Sequence, residues 1–262
     1  TKLSHIHFTT NQQATNRILA MGEADWRVHT VGFPAIDMIS ENNYASREEI
    51  EEKFKIRADK PIVLFTQHSV TTEFEIAGDQ IIPSLDALNL LANDGIQVFI
   101  TYPNNDAGGK RIIKVINEHT SNSNQNIQTH ISLGRYFCHG ILALSKNADN
   151  RVCCVGNSSS GIKETPAFGC PTVNIGSRQQ GRLRADNVLD SEYDTDDILK
   201  KIKVCLFDGD FRKISKACVN PYGEGDAGLK IANILSQITL EKKKILRKEM
   251  TIEGVEKDGW HK

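Results

Sequence analysis

Four short apolar runs recur along the middle of this 262-residue chain: PIVLFT (61–66), IQVFIT (96–101), RVCCVG (151–156) and PTVNIG (171–176). Each has the length of a strand, and each is apolar along its run rather than alternating. Strands of that kind are covered on both faces. Helix-length segments lie between them, at about 79–93, 107–118 and 135–147, with a weaker strand, NIQTHI, at 126–131. Strand–helix repetition with doubly buried strands specifies an α/β fold, a Rossmann-like parallel sheet with helices on both faces. In such a sheet the loops that follow the strands gather at one edge, where open α/β sheets bind ligands.

The flanking regions are less regular. LSHIHF (3–8) reads as a strand, Thr9 or Thr10 can cap a helix over 11–21, and Gly22 closes it. WRVHTVG (26–32) reads as a strand that Pro34 ends, and SREEIEEKFKI (46–56) as a charged amphipathic helix. Helices near 195–206 and 225–238 complete the pattern. Between 34 and 60 the chain turns polar and helical, which marks a boundary between domains. The tail 241–262 is highly charged and sparsely apolar and is expected to be partly ordered. SNSNQN (121–126) reads as a short polar loop.

Composition narrows the function classes. A formal charge of −1 argues against a dedicated nucleic-acid binder. There is no run of about 18 apolar residues that could cross a membrane as a helix. The six cysteines show no CxxC spacing, and several fall inside apolar runs. They are expected to be small buried hydrophobes in a reducing cytoplasm, without a zinc site.

Chemistry concentrates in the loops after the strands. Gly156-Asn157-Ser158-Ser159-Ser160-Gly161 brings hydroxyls and backbone N–H groups to the start of a short helical stretch, a setting that suits phosphate. It lacks the GK[ST] of a P-loop. Glu164 lies one turn further on. In nucleotide sites an acid there often holds ribose hydroxyls, although it could equally reach back to cap the turn near residue 161. Arg178, in SRQQGR after the last run, can pair bidentately with a diphosphate, with Arg182 nearby. His68 follows the first run and is a candidate for phosphate contact or proton transfer. Asn104 follows the second run and can point at a ligand if Asp106 caps the next helix. Four loops at one sheet edge thus predict a nucleotide-diphosphate pocket, with no carboxylate cluster suited to Mg²⁺.

The blocks FTQHSVTTEF, TYPNNDAGG, GNSSSGIKETPAFGCPTVNIGSRQQGR, ADNVL and NPYG closely resemble the hydrolysing UDP-N-acetylglucosamine 2-epimerases of sialic- and legionaminic-acid biosynthesis. The resemblance runs from TKLSHIHF to about Ile238, with the blocks in the same order and at matching spacing. It implies a GT-B fold of two Rossmann-like domains. Residues 1–58 would be the end of the first domain and the connection, 59–240 the nearly complete UDP-binding domain, and 241–262 a charged tail. It implies conversion of UDP-N-acetylglucosamine and water to UDP and N-acetylmannosamine. UDP is eliminated first to give a 2-acetamidoglucal, which is then hydrated with inversion at C2. No metal and no nicotinamide cofactor is implied, and the expected assembly is a homo-dimer or homo-tetramer in the cytoplasm.

Residue by residue, the resemblance assigns Ser158 and Ser159 to the diphosphate, in the loop closed by Gly161. It assigns Glu164 to the ribose hydroxyls and Arg178 to the phosphates. His68 is placed beside phosphate and sugar to assist UDP departure, and Asn104 on the sugar side. Arg135, with Tyr136 and Phe137, falls where the family contacts the base. The acids expected to move protons at C2 belong to motifs upstream of Thr1, which implies that about one domain, roughly 100–150 residues, precedes this chain. The pattern leaves three alternatives open: the same reaction on a UDP-2,4-diacetamido sugar, a GT-B glycosyltransferase using a UDP-sugar, or a non-catalytic UDP-binding fragment.

Overall fold

The computed structural model describes residues 1–121, 124–239 and 241–248. The chain forms two compact units, one of residues 42–221 and one that joins residues 1–41 to 222–262. The boundaries expected at 58 and 240 therefore differ from those of the compact units, because the segment after residue 221 packs with the chain's beginning. Part of the tail (249–262) and of the polar loop (122–123) lies outside the described residues.

The unit built from the two ends begins with β1 (His7–Thr9), α1 (Gln12–Ala20), β2 (Val28–Thr30) and α2 (Ala35–Ser40). β1 and β2 pair in parallel, His7 opposite Val28. α1 is capped by Asn11, whose side chain accepts from the Ala14 N–H, rather than by Thr9 or Thr10. Thr9 instead bonds Thr15 inside the unit. Helix α2, absent from the sequence reading, is only six residues long and follows the strand-breaking Pro34.

The larger unit contains α3 (Arg47–Phe54), β3 (Ile62–Thr66), α4 (Ala77–Asn93), β4 (Gln97–Thr101), α5 (Gly109–Thr120), β5 (Ile127–His130), α6 (Gly134–Ala143), β6 (Val152–Gly156), α7 (Ser160–Lys163), β7 (Thr172–Ile175), β8 (Val188–Ser191), α8 (Thr195–Phe207) and α9 (Gly209–Ala217). The six strands form one wholly parallel sheet in the order β5-β4-β3-β6-β7-β8. The chain starts at the centre, steps outward to β5, returns to the other side of β3, and steps outward again. The crevice between the carboxyl ends of β3 and β6 is therefore the topological switch point.

Burial explains the sheet. On one face Val63, Phe65, Val98, Ile100, Cys153, Val155, Val173 and Ile175 pack with Ile81, Leu85 and Leu88 of α4, Ile112 of α5 and Ile202 of α8. On the other face Phe99 meets Phe54 of α3 edge-on, ring centroids 5.2 Å apart. Each such side chain contributes about 1.5–3 kcal/mol on full burial. α3 opens with a complete capping box between Ser46 and Glu49. Strand β8 was not legible, since VLDS is a half-exposed edge strand. Nor was α9, which starts where the Asp208 carboxylate accepts from the N–H groups of Asp210 and Phe211.

Back in the first unit, α10 (Ala227–Gln237) and α11 (Lys242–Leu246) complete the elements of the described residues. Asp37 of α2 accepts from the N–H groups of Ala227 and Gly228, at 3.0 and 2.7 Å, and so holds the first turn of α10. The buried Arg27 guanidinium donates to the carbonyls of His5, Lys244, Ile245 and Arg247. These bonds order the described part of the tail. No described helix is long and apolar enough to cross a membrane.

Candidate nucleotide-sugar site

The site lies within the larger unit, at the switch point. Gly156 ends β6 directly opposite Thr66, the last residue of β3. It has φ +122°, and a Cβ there would stand 2.0 Å from the Thr66 carbonyl oxygen. Only glycine lets the two strand ends approach this closely. The Asn157 N–H then donates to that carbonyl at 3.1 Å.

Asn157, 1% exposed, joins the loops. Its Oδ1 accepts from the His68 N–H at 2.6 Å, and its Nδ2 donates to the His68 carbonyl at 2.8 Å. The amide thus pairs with the His68 backbone on both sides, as a neighbouring strand would. Its own carbonyl accepts from Arg178 Nη1 at 3.1 Å and from Gln179 Nε2 at 2.7 Å. His68 Nδ1 accepts from the Asn104 N–H at 3.0 Å. The Asn104 side chain donates to Asp106 at 2.7 Å, and Asp106 lies 3.8 Å from the Arg178 guanidinium. The contacts close a ring, His68–Asn104–Asp106–Arg178–Asn157–His68, through four loops. Asp106 does not cap the next helix: α5 is preceded by Gly108 in a left-handed conformation with no side-chain cap. Its carboxylate faces Asn104 and Arg178 instead.

The electrostatics favour an anion. Burial, then Arg182, lowers Arg178 from its ordinary value, with Asp106 opposing. Burial, then Arg182, also lowers Lys163. Burial, reinforced by Arg178, pushes His68 down to about 4. With Nδ1 accepting from Asn104, the imidazole is a neutral ring whose proton sits on Nε2. An anion in this setting relieves the mutual repulsion of the cations.

The serine loop adjoins the ring. Ser158, Ser159 and Ser160 are half-buried. Ser158 Oγ accepts from the Ser160 N–H at 3.4 Å, and the Ser158 carbonyl accepts from Gly161. Gly161 is buried, and a Cβ on it would lie 3.1 Å from Thr172 Cγ2, so glycine here lets α7 settle against β7. Glu164 does not cap the turn near residue 161. Its Oε2 pairs with His139 Nε2 at 2.7 Å, and its Oε1 accepts from Ser160 Oγ at 3.0 Å.

Arg135 stands apart from the ring. It opens α6, after the edge strand β5, and its guanidinium donates to the Asn43 carbonyl at 3.0 Å. Tyr136 donates to Glu49, and Phe137 packs edge-on against Phe54. Asn157, Gln179, Asp106 and His139 carry contacts that the sequence reading did not assign. Asn157 and Gln179 stood inside the quoted motifs. His139 could have been noticed as a polar residue inside the apolar stretch FCHGILAL (137–144). Among the described residues no three His, Cys, Asp or Glu side chains are grouped as a metal site.

A family model described as UDP-N-acetylglucosamine 2-epimerase matches residues 1–236. The chain belongs to that family. Two curated relatives of this epimerase family are a GDP/UDP-N,N'-diacetylbacillosamine 2-epimerase (hydrolyzing) of Campylobacter jejuni and a UDP-N-acetylglucosamine 2-epimerase of Neisseria meningitidis. The first is 30% identical over 203 residues, 77% of this chain and 51% of the relative. The second is 31% identical over 211 residues, 80% of this chain and 52% of the relative. The chain thus spans about half the length of the curated relatives it matches. The crystal structure of the Neisseria meningitidis UDP-GlcNAc 2-epimerase bound to UDP-GlcNAc superposes with a TM-score of 0.73. That match has 19% identity and covers 90% of this chain and 62% of the other. At that identity the likeness is one of fold, and it places this member of the epimerase family in the GT-B class that its sequence implied.

Proposed function

We propose that this chain holds the UDP half of a hydrolysing 2-epimerase site, which takes UDP-N-acetylglucosamine and water to UDP and N-acetylmannosamine. The observation that carries the reading is the ring around Asn157, which gathers His68, Asn104 and Arg178 at the switch point beside the serine loop. Ser158 and Ser159 hold the diphosphate with Arg178, Glu164 takes the ribose hydroxyls, and His68 stands by the oxygen that leaves C1. In the first step a general base takes the C2 proton, the C2–H electron pair forms the C1=C2 double bond, and UDP departs with the electron pair of the C1–O bond, leaving a 2-acetamidoglucal. Water then returns hydroxyl to C1 and a proton to the opposite face of C2. Arg135 lies apart from the ring in this structure, and its assignment to the base rests on the resemblance alone.

The relatives' names support two sugars, N-acetylglucosamine and a 2,4-diacetamido sugar such as N,N'-diacetylbacillosamine. We favour the first as the simpler substrate and keep the second as the competing reading. The free cysteines support a reducing cytoplasm. A place in sialic- or legionaminic-type acid synthesis, and a homo-dimer or homo-tetramer, follow from the resemblance.

Incubation of the protein with each UDP-sugar, followed by NMR of the sugar released, tests the reading. UDP and the C2-inverted sugar should appear together. UDP release that requires an acceptor would favour a glycosyltransferase, and binding without turnover a UDP-binding fragment. In calorimetry with UDP, Ser159→Ala and Arg178→Ala should each weaken binding about tenfold or more, the effect of losing a hydrogen bond to a charged group.

A further inference from the structure

His139 lies on α6 and is 2% exposed, with the Phe168 ring centroid 5.5 Å from its own. Its Nε2 meets Glu164 Oε2 at 2.7 Å. Its other ring nitrogen, Nδ1, is buried with no hydrogen-bond partner among the described residues. Burying an imidazole with one nitrogen unsatisfied is costly, and a phenylalanine or leucine would pack there more favourably. Among the described residues the single polar contact of the ring is Glu164, so what offsets that cost acts through Glu164.

Glu164 has a side chain 14% exposed, and both of its oxygens are engaged from behind. His139 donates to Oε2, and Ser160 Oγ donates to Oε1 at 3.0 Å. Each carboxylate oxygen accepts at two sites, so one remains on each. Two donors on two different oxygens fix the plane of the carboxylate and aim the remaining sites as a pair. That geometry suits two adjacent hydroxyls.

We propose that His139 is a positioning residue for Glu164, which it holds as a paired acceptor for a vicinal diol, and so makes the site selective for ribo- over 2'-deoxyribonucleotides. The inference rests on the reading of Glu164 as the ribose-binding acid. His139 does not touch the ligand. It sets how strictly the carboxylate demands both hydroxyls.

The test compares UDP with 2'-deoxy-UDP by calorimetry. The unsubstituted chain should bind UDP about tenfold more tightly, the worth of one hydrogen bond to a charged group. In His139→Phe that ratio should fall to about twofold, through weaker UDP binding and little change for the deoxynucleotide. His139→Gln, which can still donate to Glu164, should restore most of the preference. His139→Leu serves as a second donor-free side chain if His139→Phe does not fold. Equal weakening of both nucleotides in the donor-free variants, or an unchanged ratio, would overturn the proposal and leave His139 a packing residue. Equal binding of the two nucleotides by the unsubstituted chain would overturn the assignment of Glu164 itself.

Discussion

Replacing Asn157 tests the architecture of the site most directly. Its side chain makes two hydrogen bonds to the His68 backbone, at 2.6 and 2.8 Å, and is 1% exposed. Asn157→Ala removes both and leaves the His68 N–H and carbonyl without those partners in a part-buried loop. An unsatisfied buried polar group costs about 1–3 kcal/mol, so the two together predict a loss of about 2–6 kcal/mol. That is a large share of the roughly 5–15 kcal/mol that holds a domain folded. Asn157→Asp separates the contributions. It keeps the acceptor for the His68 N–H but turns a carboxylate oxygen toward the His68 carbonyl, and it adds a negative charge beside Arg178. Urea unfolding followed by circular dichroism reads the stability, and calorimetry reads UDP binding. Asn157→Ala should lower the urea midpoint and weaken UDP, because the loops carrying His68 and Arg178 lose their common anchor. Asn157→Asp should cost at least as much stability, because it faces a buried carboxylate oxygen with the His68 carbonyl, and be the more severe in UDP binding. A midpoint within error of the parent, together with UDP affinity within twofold for both variants, would refute the view that Asn157 assembles the site.

Three further outcomes follow from the same structure. Gly156→Ala should destabilise by about 3–5 kcal/mol, the sum of a strained positive φ and a steric overlap with the Thr66 carbonyl; a thermal midpoint unchanged within 2 °C would contradict it. Because burial and Arg178 hold His68 near 4, a bound diphosphate that offsets Arg178 should raise it and take up a proton. UDP-N-acetylglucosamine, whose diphosphate diester stays fully ionised, should therefore bind with proton uptake between about pH 4 and 6.5, measured by calorimetry in buffers of different ionisation enthalpy and absent in His68→Gln. In the unit formed by the two chain ends, burial would raise Glu23, but hydrogen bonds from Lys248, Lys2 and His7 outweigh it and bring it down to about 2. Its folded value is depressed, so the stabilisation is complete above about pH 4.5 and lost as pH falls toward 2. Trp26, which packs against Arg27 and Lys244, should report that loss by fluorescence in a Trp260→Phe background, and Lys248→Met should move it to higher pH.

The sequence by itself determined the fold class and the edge at which the site lies. Doubly buried runs such as IVLFT and VCCVG have no stable place except inside a parallel sheet, so the loops after them had to share one edge. It also supplied the chemistry of that edge, because His68, Asn104, Ser158 and Arg178 stand directly after strands. Elements held by tertiary contacts rather than by pattern were not legible. β8 has too few apolar residues to announce itself, and α10, although legible as a helix, gives no sign in its own stretch that it joins the unit of the amino-terminal residues through Asp37, far away in sequence.

Partnerships were the other thing left to the tertiary structure. Asn157 and His68 are 89 residues apart, and His139 and Glu164 are 25 apart. An asparagine amide looks the same in sequence whether it caps a turn, faces water or pairs with a distant backbone. Likewise Asp106 reads as a helix cap until the fold brings Asn104 and Arg178 against it. Hydrogen-bond partners are chosen by which loops the sheet order brings together, and that order, β5-β4-β3-β6-β7-β8, is set by packing across the whole unit rather than by any local stretch of chain.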